Sequence, residues 1–170
     1  LTDGTAVTMN DNSLQDDVRC RIDAIDAVTP DIRLVSLSAM DGGLFVWRAG
    51  QYVSLRTQGH EPRDYSIASV PGSDRLEVHV RRSGGGGLSD ALCGDLAVGD
   101  EILAQGPFGA AYFRESHGGP LLALAGGTGL APMTAVSCLH AVRSQSAICS
   151  CTQPVLATEM ARQRSTGSTP

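Results

Sequence analysis

Three short stretches of this chain combine side chains and bare backbone in ways that suit a phosphorylated ligand. Gly126-Gly127-Thr128-Gly129 follows an apolar run at residues 121–125 without a break. Glycines let backbone N–H groups approach a phosphate, and a helix starting beyond them adds unpaired N–H groups and a positive dipole end. The same residues also read as an ordinary strand-to-helix turn, and their place behind an apolar strand favours phosphate. No Lys follows, so this is not a Walker A loop, and G-x-G-x-x-G is incomplete. Arg63-Asp64-Tyr65-Ser66 offers a guanidinium for phosphate, a flat ring with a hydroxyl, and a second hydroxyl for a ring heteroatom. Alone it reads as a plain strand. His79-Val80-Arg81 runs into four glycines at 84–87 and then Leu88-Ser89. His79 and Arg81 share a strand face, and the glycines with a helix start at Ser89 suit a pyrophosphate. The plain alternative is a solvated strand edge with a flexible loop, and a lone histidine such as His79 is more often a surface residue than a ligand.

These stretches need elements to hold them. Residues 19–28 and 32–38 read as strands around the turn Thr29-Pro30-Asp31. Residues 52–57 alternate, and Pro62 and Pro71-Gly72 bracket a strand at 63–70. Leu76, Val78 and Val80 alternate with Glu77, His79 and Arg81, which is a half-buried strand of period two. Residues 88–92 suggest a short helix and 100–105 another strand. Short strands divided by turns predict an antiparallel barrel. Residues 121–125, the glycine loop and a helix at 131–142, with Pro132 in its first turn, predict the opening of a nucleotide-binding α/β unit.

Bulk properties narrow the class. The chain has 170 residues, 42% of them hydrophobic, enough for one domain and part of another. A formal net charge of -5 argues against nucleic acid as partner. The longest apolar stretch is too short for a membrane span, and no signal peptide opens the chain, so a cytoplasmic protein is expected. Cys20, Cys93, Cys138, Cys149 and Cys151 make an odd count without C-x-x-C, and the four histidines lack metal-site spacing, so free thiols and no metal are expected.

Taken in order, Arg63-Asp64-Tyr65-Ser66, a strand bearing Arg81, Gly87-Leu88-Ser89, Gly106-Pro107-Phe108-Gly109 and Gly126-Gly127-Thr128-Gly129-Leu130-Ala131-Pro132 resemble the ferredoxin–NADP reductase superfamily. Within it the chain looks most like reductase components of bacterial aromatic-ring dioxygenases. Arg48-Ala49-Gly50-Gln51-Tyr52-Val53 matches the segment that precedes the flavin motif there, and the resemblance spans residues 18–142. It implies a six-stranded antiparallel flavin-binding barrel over 18–115, then a truncated start of a NAD(P)-binding α/β domain over 119–143.

By position, the resemblance implies that Arg63 contacts the flavin phosphates and Tyr65 packs on the flavin or its ribityl chain. Ser66 would sit near flavin N5, as the residue closest to the chemistry. His79, Val80 and Arg81 would line the flavin tail, Gly87, Leu88 and Ser89 the pyrophosphate, and Gly127, Thr128 and Pro132 the nicotinamide and its phosphates. FAD is expected over FMN, with NAD(P)H as substrate and a ferredoxin or oxygenase component as electron acceptor. The family's later Cys-Gly-Pro motif is missing. The alternatives are a flavin-binding electron-transfer module without its own nicotinamide site, and a non-catalytic barrel that binds a protein.

Residues 1–17 read as a disordered leader, and the chain does not begin with Met, so it reads as a fragment or as starting at Met9. Residues 144–170 read as a disordered tail, rich in Ser, Thr and Gln. A frameshift is the favoured cause, over a divergent terminus. One codon spelling of 147–152, read two bases on, gives Asp-Leu-Phe-Leu-Tyr, which suits a buried strand. Limited proteolysis is expected to cut within 153–170 long before the barrel, and a tail that survives equally would be folded. Sequencing the gene should show the rest of a nicotinamide domain in another frame.

Overall fold

The computed structural model describes residues 17–114, 116 and 121–144. The expected leader and tail lie outside these residues, save Asp17 and Ser144. Six strands form one sheet: β1 (Val18–Ala27), β2 (Ile32–Ala39), β3 (Tyr52–Arg56), β4 (Arg63–Ser66), β5 (Leu76–Arg81) and β6 (Glu101–Phe108). Their spatial order is β4-β3-β6-β1-β2-β5, and every pairing is antiparallel. The edges meet where Ile67 bridges Val78 and Ala68 N–H donates to the Glu77 carbonyl at 2.8 Å. The sheet thus curls into the antiparallel barrel that the turn-divided strands predict, and curling covers edges that would otherwise offer unpaired backbone.

Period two puts Leu76, Val78 and Val80 of β5 inside, all fully buried. They join Ile22, Val35, Leu55 and Ile67 in the main core. Each such side chain contributes about 1.5–3 kcal/mol by leaving water. The helix α1 (Leu88–Gly94) packs onto this core through Leu88, Leu92 and Cys93. Trp47 is buried as well, and its indole N–H donates to the Ser69 carbonyl at 3.2 Å.

Beyond the barrel the expected α/β opening is only half realised. Residues 121–125 form no strand, and Leu122 and Leu124 are 82% and 81% exposed. A parallel strand is stable between neighbours that take up its backbone groups, and no described strand lies beside this one. The apolar run was therefore misread as a formed strand. The helix is real and slightly longer than expected: a 3₁₀ turn over Gly127–Gly129 leads into α2 (Leu130–Ser144). Ala131, Thr134 and Ala135 are buried at helical spacing, and α2 packs through Ala135 and Val136 on Ala49, with Phe113 and Leu139 at the margin.

The seam under α2 is built from two loops. Gln51 Oε1 accepts from Arg48 N–H at 2.8 Å, and Gln51 Nε2 donates to the Gly109 carbonyl at 3.1 Å. Phe113 N–H donates to the Ala49 carbonyl at 2.8 Å. Gly50 sits between them with φ +106°, where an added Cβ would lie 2.5 Å from the Ala111 oxygen. Gly50→Ala is expected to cost about 2 kcal/mol or more, since it combines a strained backbone with a clash. Gly59→Ala is the control: φ is +82° with nothing near the new atom, so only the left-handed cost of about 1–2 kcal/mol applies. Urea midpoints of the two variants check this, and equal losses would show that the Ala111 contact relaxes freely.

Candidate functional site

The strand β4 and the helix α1 bring the first group of candidate residues together. Arg63 opens β4 exposed to solvent, and two residues on, along the same face, Tyr65 is buried at 8% exposure. The Tyr65 ring packs in the core, yet its hydroxyl is buried and has no hydrogen-bond partner among the described residues. Burial pushes the phenol up to about 12, with Arg63 opposing and Cys93 and Asp90 adding to the rise. A buried hydroxyl without a partner is unfavourable by about 1–3 kcal/mol. The atom is therefore suited to a polar group supplied from outside. Ser66 is half-buried and pairs in register with Tyr52, whose ring lies 5.5 Å from that of Phe108.

The loop between β5 and α1 forms the second part. Gly84 and Gly86 have φ of +76° and +72°, and an added Cβ at either would meet nothing within 4 Å. The backbone is thus bare and open on that side. Asp90 gathers the loop: Oδ1 accepts from Ser83 N–H and Gly84 N–H at 2.8 Å each, and Oδ2 accepts from Gly86 N–H at 2.7 Å. These bonds, from Gly84 first, hold the Asp90 carboxyl down at about 2, so it is ionised throughout the neutral range. Gly87 caps α1 without a side-chain bond. Ser89 is buried, and its hydroxyl meets Ser83 Oγ at 2.9 Å. Arg82 ties the loop's other flank to α1 through a 2.8 Å bond to the Cys93 carbonyl.

Other candidates are placed differently from the plain reading of the sequence. His79 is buried at 6% exposure, not a surface histidine. Arg81 is exposed and pairs with Asp31 at 3.0 Å. Val80 and Leu88 point into the core, so only their backbone is available to a ligand. Gly127 and Thr128 lie in the 3₁₀ turn, which approaches β5, while Pro132 lies in the first turn of α2. Asp90 was missed in the sequence. Its signal was an acidic residue in the first turn of a short helix, which is common enough to pass unnoticed.

Among the described residues no three His, Cys, Asp or Glu side chains cluster as metal ligands, and no helix is long and apolar enough to cross a membrane. Cys20 is buried, and burial pushes its thiol up to about 11, which suits a core residue more than a nucleophile. A bare glycine loop, an exposed guanidinium and an orphaned buried hydroxyl together fit a phosphorylated group with a flat ring.

Comparison with known proteins agrees with this chemistry. The profile of the oxidoreductase FAD-binding domain family matches residues 19–113. The reductase component of propane 2-monooxygenase from Gordonia sp. (strain TY-5) is 37% identical over 119 residues, which are 69% of this chain and 34% of that protein. The ferredoxin–NAD(P)(+) reductase component of the naphthalene 1,2-dioxygenase system of Pseudomonas putida is 34% identical over 113 residues, 66% of this chain and 34% of its own length. The crystal structure of Amycolatopsis cytochrome P450 reductase GcoB superposes with a TM-score of 0.71 at 34% identity, covering 77% of this chain and 40% of that one. The chain thus spans about a third of the length of the curated relatives it matches.

The orphaned hydroxyl makes a prediction of unusual sign. In the ligand-free chain, Tyr65→Phe is expected to raise stability by about 1 kcal/mol, because the ring keeps its packing and the unpaired group is gone. Thermal or urea midpoints check this. A lower midpoint would mean that the hydroxyl finds a partner in solution.

Proposed function

The chain belongs to the oxidoreductase FAD-binding domain family, and on that premise we propose that its barrel holds FAD and serves electron transfer from NAD(P)H to a protein acceptor. The acceptor class is a ferredoxin or an oxygenase component, because the similar proteins are reductase components of such systems. The observation that carries the reading is the buried Tyr65 hydroxyl, without a partner among the described residues and within the electrostatic reach of Arg63 and Asp90. When bound, FAD supplies the conversion between two-electron and one-electron transfer, which no side chain of this protein can perform.

The residues divide the work of holding it. Arg63, exposed and without an ion pair among the described residues, offers the charge for the phosphates. Tyr65 offers its hydroxyl, and Ser66 Oγ a hydrogen bond to the ring where hydride is received. Gly87 and Ser89 act on the pyrophosphate, with Leu88 contributing backbone alone. His79, Val80 and Arg81 line the tail, Arg81 with its charge already shared with Asp31. Gly127, Thr128 and Pro132 are the proposed nicotinamide residues. FAD is preferred over FMN, the barrel and nicotinamide segments divide as 18–115 and 119–143, and the protein is cytoplasmic in this reading.

A second reading is favoured by one observation. Residues 121–125 form no strand among the described residues, and Leu122 and Leu124 are exposed, which suits a flavin module that has no nicotinamide site of its own. Spectra of the purified chain under anaerobic conditions separate the two. A yellow chain bleached by NADH supports the reductase, a yellow chain indifferent to NADH supports the module, and a colourless chain that takes up no added FAD defeats both. Arg63→Ala is expected to weaken FAD retention by about 1.5–3 kcal/mol, the usual worth of a charge-assisted phosphate contact. Equilibrium dialysis measures it, and an unchanged affinity would remove Arg63 from the site.

A further inference from the structure

We propose that Asp90 is the positioning residue of the glycine loop, folding residues 83–86 into shape before a ligand arrives. The inference rests on the flavin reading above and deepens it, since the loop is the proposed seat of the FAD diphosphate.

The argument begins with what the loop lacks. Residues 84–87 are four glycines in succession. Glycine loses more backbone freedom on ordering than any other residue. Nothing stands within 4 Å of where a Cβ would be at Gly84, Gly86 or Gly87, so side-chain packing on that side holds none of them. Left alone, such a segment behaves as a flexible linker. A ligand that had to order it would bind more weakly by that entropy.

One carboxylate supplies what the glycines cannot. Asp90 Oδ1 takes the N–H groups of Ser83 and Gly84, and Oδ2 takes that of Gly86 and the Ser83 hydroxyl, the last at 3.2 Å. The same arrangement delivers Ser83 Oγ to the Ser89 hydroxyl, 2.9 Å away. The carboxylate does not engage the N–H groups of Gly85 and Gly87. Asp90 therefore shapes the loop while leaving those two N–H groups for an anion. Its own charge opposes that anion, and asparagine at this position would keep one acceptor oxygen without the charge.

The test compares the full chain with Asp90→Ala and Asp90→Asn, titrating FAD and riboflavin by quenching of flavin fluorescence. The alanine variant is expected to bind FAD about tenfold or more weakly, a loss matching one or two charge-assisted bonds. The asparagine variant, which keeps an oxygen for Ser83 and Gly84, is expected to stay within about threefold of the parent. Riboflavin carries no phosphate, so its affinity should be the same for all three chains. An alanine variant that binds FAD like the parent overturns the proposal. Equal loss of FAD and riboflavin also overturns it, since Asp90 would then support only the fold. A parent that binds no FAD instead defeats the flavin reading itself, and the role of Asp90 with it.

Discussion

A run of four glycines has no side chain with which to hold itself, and it stands at the point where β5 must turn into α1. Its shape is therefore borrowed. Asp90 binds three of its neighbours' N–H groups from one side, and Arg82 fastens the other flank to the end of α1. Much follows from this. The helix enters at an angle that places Leu88, Leu92 and Cys93 on the barrel core. Its first turn then brings Asp90 near the Tyr65 phenol, which the core has already stripped of water. The bare backbone and the carboxylate that shapes it answer to one constraint, and the barrel core supplies the orphaned hydroxyl beside them.

The barrel keeps its polar surplus at one place. Most buried groups are matched: Trp47 finds the Ser69 carbonyl, and Ser36 meets Glu77 at 3.3 Å. Tyr65 alone among the described residues keeps a buried side-chain oxygen or nitrogen without a partner. Folding does not normally tolerate that cost without a return, and the return expected in a family of FAD-binding domains is a bound cofactor. Arg63, two residues away, opposes the rise in the Tyr65 pKa while remaining in solvent. Charge outside and hydroxyl inside is a suitable division for a ligand whose phosphates stay wet and whose ring does not.

The second element of the architecture is the seam that receives α2. Ala49, Gly50 and Gln51 pass so close to the segment Gly109 to Phe113 that only glycine fits at position 50. Small residues on α2, Ala131, Thr134 and Ala135, complete the contact. The helix is thus held on the barrel although the run before it lies exposed. A helix closes its own backbone bonds and needs only one apolar face covered, whereas a strand needs neighbours on its edges.

That difference marks how far the sequence could be read. Period-two alternation in 76–81 and turn residues at 29–31 and 71–72 were enough for the antiparallel barrel, because each is a local rule written in consecutive residues. The order of the Arg63, Ser89 and Gly127 segments was enough for the family. Local pattern failed at 121–125, where apolar character implied a strand but no strand among the described residues lies beside it. It failed at His79, whose burial depends on what covers the sheet, and it was silent on the pairing of Arg81 with Asp31, fifty positions away. It also passed over Asp90, an ordinary acidic residue until the loop wraps around it. The sequence by itself determined the alternation, the turns and the phosphate-suited glycines, since these depend on residue type and spacing. The tertiary structure alone decided which hydroxyl is left unpaired, which glycine cannot change and which carboxylate shapes the loop, because each is set by atoms that only folding brings within a few ångströms.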